Sequence, residues 1–229
     1  MVVSVATTTV LIRELMDRLR RTYGDVCCAL TYSNPYQLLV ATVLSAQCTD
    51  ARVNIVTHDF FLQFPDPFSL AASDLLDIEA TVRSTGLFRN KARNLKRMAS
   101  MLIERYNGQV PSIKEQLAEL PGVGLKTANV VLANAFNIPA FAVDTHVYRV
   151  SRRLGLSVGR TTSLVEADLC RLFPKKRWIV LHHQLICHGR QICHARRPNC
   201  NHCSLSDICP TGLGEICDPH TSVHVVAAT

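Results

Sequence analysis

Leu120-Pro121-Gly122-Val123-Gly124-Leu125-Lys126 lies between two segments of helical apolar spacing, and its reading decides the fold. Upstream, Ser112 and Glu115 read as a capping box that opens a short helix. Downstream, Lys126 to Phe136 resumes the helical pattern. The two glycines allow backbone angles closed to other residues and let an anion approach the amides closely. The second helix adds unpaired N–H groups and the positive end of its dipole. Such a turn makes a cradle that reads phosphate and not base. A lone Gly-x-Gly would fit an ordinary helix–helix turn. Leu-Pro-Gly-Val-Gly between two signalled helices favours the cradle, with Gly122, Val123 and Gly124 facing the anion.

Helical spacing extends outward from this turn in both directions. Thr9 to Tyr23 predicts an amphipathic helix with Leu11, Ile12, Leu15, Met16 and Leu19 on one face. Asn34-Pro35 supplies a cap followed by proline at the first helical position, and an almost wholly apolar helix runs on to Gln47. Asp50 reads as the cap of a helix toward Gln63, and Phe64-Pro65-Asp66-Pro67 as a loop. Asp74 to Thr85 and Arg89 to Tyr106 form two more helices. Beyond the glycine turn, Asp144 reads as a cap for a helix through Leu154. Ser163 and Glu166 read as a second capping box, and Trp178 to His188 as a last long helix. No segment alternates apolar and polar residues as a strand would. The expected fold class is all-α.

The chain has 229 residues, 48% of them hydrophobic, enough for one large core or two small ones. A formal net charge of +7 suits a polyanionic partner, nucleic acid before membrane, although a solubilising surface would also explain it. No apolar run approaches the ~18–20 residues of a membrane span, and the first ten residues lack the basic start of a secretory signal. A soluble, intracellular protein, cytoplasmic by default, is expected. Further basic groups are Arg89, Lys91, Arg93, Lys96 and Arg97, then Arg152 and Arg153, then Lys175, Lys176 and Arg177. Most read as solvated helix faces, and some as the lining of a DNA channel.

Four of the ten cysteines crowd into one segment: Cys193, Cys200, Cys203 and Cys209. Clustering of this kind points to metal rather than to a disulfide scaffold. Four thiolates could enclose a tetrahedral zinc or a cubane iron–sulfur cluster, and spacing physics alone leaves both open. Arg196 and Arg197 fall inside the first gap and could clamp a phosphate. Cys27, Cys28, Cys48, Cys170, Cys187 and Cys217 read as small apolar residues or unpaired thiols.

Lys126 follows the turn directly. The helix end and partial desolvation would both favour its neutral amine, a nucleophile. A solvated lysine touching phosphate is an equal reading of the residues alone. Asp144 is a good N-cap and needs no other reason to be there. A capped aspartate is also rigid and ionised, able to accept a proton or stabilise positive charge.

Leu120 to Val131, together with Val143-Asp-Thr-His-Val-Tyr-Arg-Val150, resembles the endonuclease III family of base-excision repair enzymes. Leu44-Ser-Ala-Gln-Cys-Thr-Asp50 and Gly86-Leu-Phe-Arg-Asn-Lys-Ala92 are similar to that family's segments too. The resemblance runs from about Leu11 to Cys209. It implies a DNA glycosylase with abasic-site lyase activity, acting on oxidised pyrimidines in double-stranded DNA, with Lys126 as nucleophile and Asp144 as its carboxylate partner. It implies a 4Fe–4S cluster on the four clustered cysteines. By the same resemblance Gln47 and Leu87 fill the gap left by an extruded nucleotide. An ordinary core leucine is the plain alternative for Leu87, and core packing or phosphate contact explains Arg149.

The architecture so implied has two helical domains with a DNA-binding cleft. Residues 28–138 form a six-helix domain containing the hairpin. Residues 1–27 plus 139–215 form the cluster domain, and 216–229 a mobile tail. A monomer with no membrane association is expected. The related adenine-mismatch glycosylases are the nearest rival; they lack lysine at the nucleophile position and carry a further recognition domain. A non-catalytic DNA-binding module with a structural metal is the rival from another class.

Overall fold

The structure is a computed structural model and describes residues 5–214, with side chains from Val10 onward. The tail expected at 216–229 and Cys217 lie outside the described residues. In chain order the helices are α1 (Val5–Tyr23), α2 (Pro35–Leu44), α3 (Asp50–Gln63), α4 (Pro67–Ala72), α5 (Leu75–Val82) and α6 (Phe88–Tyr106). Then follow α7 (Lys114–Glu119), α8 (Leu125–Ala135), α9 (Thr145–Arg153), α10 (Thr162–Leu172) and α11 (Trp178–Gln191). Single 3-10 turns occupy Arg83–Thr85, Lys175–Arg177, Cys200–His202 and Ser206–Ile208. Among the described residues there is no strand, and no helix is long and apolar enough to cross a membrane. The fold is all-α.

The chain divides into two compact units, one of Cys28–Ala140 and one of Met1–Cys27 with Phe141–Thr229. The first unit carries α2 to α8 around α2, whose residues Leu38, Leu39, Val40 and Ala41 are fully buried. Burial on every side follows from an apolar composition all round the helix. Each such leucine contributes about 2 kcal/mol. Asn34 caps α2 as expected, its side chain accepting from the Gln37 amide, with Pro35 at the first helical position. The long helix α6 turns Ala92, Leu95, Met98, Ala99 and Leu102 inward.

The second unit packs α1, α9, α10 and α11 around Leu15, Leu19, Phe141, Val147, Val150, Val165, Leu169, Leu181 and Leu185. Leu11, expected on the buried face of α1, is 42% exposed. α10 ends before the Lys175–Arg177 turn, and α11 leads directly into the cysteine segment.

Several helix starts differ from the sequence reading. Thr49, not Asp50, caps α3 through a hydrogen bond from the Arg52 amide. Thr161, not Ser163, caps α10, accepting from the Leu164 amide. Ile113 occupies the cap position of α7, with no side-chain cap bond. Asp66-Pro67, read as loop, is a true helix start: Asp66 and Ser69 form a reciprocal capping box on α4. The unit spanning 28–140 thus has seven helices rather than six.

Candidate functional site

The glycine turn joins α7 to α8. Leu120 N donates to Leu117 O at 3.1 Å, Val123 N to Leu120 O at 3.0 Å and Ala128 N to Gly124 O at 2.9 Å. Gly122 sits at φ +81°, and an added Cβ would stand 3.1 Å from the Asn94 side chain. The dihedral favours glycine there, and a side chain would in addition have to push the Asn94 side chain back by a few tenths of an ångström. Gly124 differs from the sequence reading. Its φ of −94° is open to any residue, and a Cβ would meet nothing within 4 Å. What Gly124 leaves is open, exposed space before the first amides of α8. Val123 is a buried plug whose amide is already bonded inside the turn.

Lys126 is the second residue of α8 and is exposed. The expectation that the protein itself partly desolvates the amine is not met in the DNA-free chain. Its Nζ has no hydrogen-bond or ion-pair partner among the described residues. Its position in the first turn of α8 sets it near the positive end of that helix's dipole.

In the other unit Asp144 caps α9, its Oδ1 accepting from the Val147 amide at 2.8 Å. The carboxylate is half-buried, and its second oxygen has no hydrogen-bond partner among the described residues. Capping and chemistry can therefore use different oxygens. Arg149, one turn on, donates from Nε to Cys193 O at 3.0 Å and from Nη2 to Gly189 O at 2.8 Å. That places it as a brace on the entry to the cysteine segment.

Gln47 and Leu87 lie in loops of the first unit, and both are exposed. Both have left-handed backbones, with φ of +55° and +49°. The other non-glycine residues with positive φ among those described, Asn107 and Asn137, are of the type that tolerates this region; glutamine and leucine are not. Leu87 is 57% exposed, which removes the reading as a core leucine. It directly follows Gly86, at φ +70° and ψ +152°, a conformation essentially restricted to glycine. Held strain of this kind marks positions whose surroundings over-determine them.

Cys193, Cys200, Cys203 and Cys209 line one small cavity of about 20 Å³ with His188, Pro198, Arg153 and Thr211. The segment is held from outside itself. Arg153, only 3% exposed, donates to His194 O (2.6 Å), Ala195 O (2.7 Å) and the Cys193 Sγ (3.4 Å). Its own carbonyl accepts from the Thr211 hydroxyl (3.0 Å) and the Cys209 thiol (3.2 Å). Arg18 of α1 forks onto Asp207, at 2.5 and 3.0 Å, and reaches Ser204 O at 2.9 Å. Burial pushes the Cys203 thiol up to about 11 and raises Cys200 and Cys209 too. Thiolates in this cavity therefore need a bound cation to replace their protons. Arg196 and Arg197 are exposed on the same segment.

Two basic residues read as solvated or channel-lining are neither. Arg153 is the brace just described. Lys91 is 5% exposed, with Nζ donating to Leu44 O and Thr85 O. A signal for both was present in the spacing. Lys91 falls on the buried stripe of α6 with Leu95, Met98 and Leu102, and Arg153 falls beside Val150 and Leu154.

Comparison with known proteins defines the class first. The HhH-GPD superfamily base excision DNA repair protein profile matches residues 40–175. Endonuclease III of Synechocystis sp. is 47% identical over 86% of this chain and 91% of its own length. Endonuclease III of Bacillus subtilis is 46% identical over 86% and 90%. A solved trapped endonuclease III–DNA covalent intermediate superposes with a TM-score of 0.86 at 45% identity, covering 90% of this chain and 97% of that one. A thermostable thymine-DNA glycosylase, at 24% identity and a TM-score of 0.78, shares the fold. The chain belongs to the endonuclease III family of base-excision repair enzymes, DNA glycosylases that also cleave at abasic sites.

Proposed function

We propose that this chain, as a monomer, excises oxidised or ring-saturated pyrimidines from double-stranded DNA and cuts the strand at the abasic site, with Lys126 as nucleophile. The observation that carries the reading is an exposed, unpartnered lysine one residue inside α8, directly after the glycine turn, in a chain of this family. The neutral Nζ attacks C1′ of the sugar and the damaged base leaves with its bonding pair. The amine sheds a proton, and the sugar ring opens to a Schiff base. Loss of a C2′ proton then expels the 3′ phosphate by β-elimination. Asp144, its cap-free oxygen available, takes up a proton from the attacking amine and stabilises positive charge on the sugar as the base departs. Because Lys126 is exposed without DNA, the bound duplex supplies the desolvation its neutral form needs.

Gly122 and Gly124, with Val123 as the buried plug beneath them, leave room for a phosphate at the turn and the first amides of α8, and Arg196 and Arg197 hold a second one. The damaged nucleotide leaves the stack, with Gln47 and Leu87 filling its place. Arg149 acts on DNA indirectly, by bracing the segment that presents Arg196 and Arg197. The four thiols surround a volume, and among the described residues no three His, Cys, Asp or Glu side chains are placed to hold a single metal ion. That favours a 4Fe–4S cluster on Cys193, Cys200, Cys203 and Cys209 over zinc. When bound, the cluster cross-links the segment.

Borohydride trapping on a duplex containing thymine glycol tests the nucleophile. The wild-type chain should form a covalent adduct, and Lys126→Ala should lose it by about 10³-fold or more. Equal trapping by the folded variant would overturn the assignment.

A further inference from the structure

Lys91 joins two loops that are distant in sequence. Its Nζ donates to Leu44 O at 2.8 Å, where α2 ends, and to Thr85 O at 2.6 Å, where the 3-10 turn ends. Three residues past Leu44 stands Gln47, and two past Thr85 stands Leu87, the two exposed left-handed residues. The Lys91 amide also donates to Leu87 O at 3.1 Å. One residue therefore grips the root of both projections. No carboxylate pairs with the ammonium among the described residues. The partial negative charge at the C-terminus of α2 and two oriented carbonyls take that place. An apolar residue at this position would continue the buried stripe of α6, so the charge serves something other than packing.

We propose that Lys91 is a positioning residue that clamps the Gln47 and Leu87 loops into one rigid wedge, so that extrusion of the damaged nucleotide, rather than attack on the sugar, depends on it. The inference rests on the reading of Gln47 and Leu87 as gap-filling residues. Without the ammonium, Leu44 O and Thr85 O lose their shared donor and the two loops drift independently. A wedge needs both sides fixed while base pairs are forced apart. An abasic site in single-stranded DNA needs no wedge.

The experiment compares wild-type chain with Lys91→Met, which keeps the aliphatic stem. Two rates are read: excision of thymine glycol from a paired duplex, and cleavage of an abasic site in a single strand. A 2-aminopurine opposite the lesion reports extrusion by its fluorescence. The ratio of paired excision to single-strand cleavage should fall about ten-fold or more, with the fluorescence rise slowed in step. Lys91→Arg, which restores charge and donors, should recover part of the ratio. Proportional loss on both substrates, or an unchanged ratio in a folded variant, overturns the clamp. Should Lys91→Met not fold, Lys91→Arg carries the same test, since its longer reach displaces the loops and must lower the same ratio. Gln47→Ala and Leu87→Ala run alongside. If neither slows the fluorescence rise, the gap-filling reading has failed; if they do and the Lys91 variants do not, only the clamp has failed.

Discussion

The glycine turn and the cysteine segment are both irregular, yet they are held by opposite means. The turn is held by its own backbone: its bonds run among Leu117, Leu120, Val123, Gly124 and Ala128. The cysteine segment is held by side chains far away in sequence. Arg149 reaches it across 44 residues and Arg18 across 186. The turn leaves backbone and a lysine exposed at the surface, and needs only local geometry for that. The cysteine segment encloses half-buried groups whose charge must be balanced, and an enclosure has to be built from several elements at once.

This difference predicts where single substitutions do most harm. The largest effect is expected at Arg153→Met. The guanidinium binds the carbonyls of residues 194 and 195 and the Cys193 sulfur, while the Arg153 backbone receives residues 209 and 211. Methionine fills the space but donates nothing. Loss of three charge-assisted bonds to a buried cation should cost about 3 kcal/mol. Iron per chain should fall after challenge with a chelator, while the turn and Lys126 are untouched. Differential scanning calorimetry and iron assay check both. An Arg153→Met chain with wild-type Tm and full iron would show that the segment holds itself as the turn does.

Legibility in the sequence follows the same division. The turn, its two helices, the Asn34 and Asp144 caps and the all-helical class could all be read, because each is set by residues within a few positions. Cap assignments went astray at Thr49 and Thr161 because two or more candidate residues stood side by side, and at Ile113 because that helix start uses no side-chain cap at all. Only the backbone decides which of them adopts the extended cap conformation. Asp66-Pro67 carried the same signal as Asn34-Pro35 and was masked by Phe64-Pro65, which suggested a loop. The gathering of four cysteines was plain; that Arg18, Arg149 and Arg153 hold them was not, since a brace across the fold leaves no local pattern. Lys91 and Arg153 carried a signal in their spacing, since both fall on buried stripes, but a charge there resembles an exposed one until its carbonyl partners are seen.

A second contrast concerns acid. The unit that carries the cysteine segment buries His183, and burial lowers its pKa from the ordinary imidazole value to about 4. The unfolded chain takes up a proton near pH 6.5 that the folded chain refuses until about 4. The unfolded state thus binds more protons across that window, and stability falls as pH drops through it. The loss from His183 alone should be about 2 kcal/mol at pH 5. Denaturant midpoints between pH 7.5 and 5 should show it, and His183→Phe should flatten the slope. A slope unchanged by the substitution would assign the acid sensitivity elsewhere.

The smallest effects separate the two glycines within the turn itself. Gly122→Ala forces a side chain into φ +81° and against Asn94 at 3.1 Å, so about 1–2 kcal/mol of stability should be lost. Gly124→Ala meets neither obstacle: its φ is −94°, and no atom lies within 4 Å of the new Cβ. Its Tm should stay at the wild-type value. The added methyl nonetheless occupies the space before the first amides of α8, where a phosphate would have to come close. Affinity for undamaged duplex should therefore weaken by about three- to ten-fold, with a shallower salt dependence as the phosphate contact is lost. If Gly124→Ala binds duplex as wild type does at every salt concentration, the open space at Gly124 is not where the phosphate sits. The turn would then be a structural corner whose exposed lysine reaches DNA by another approach.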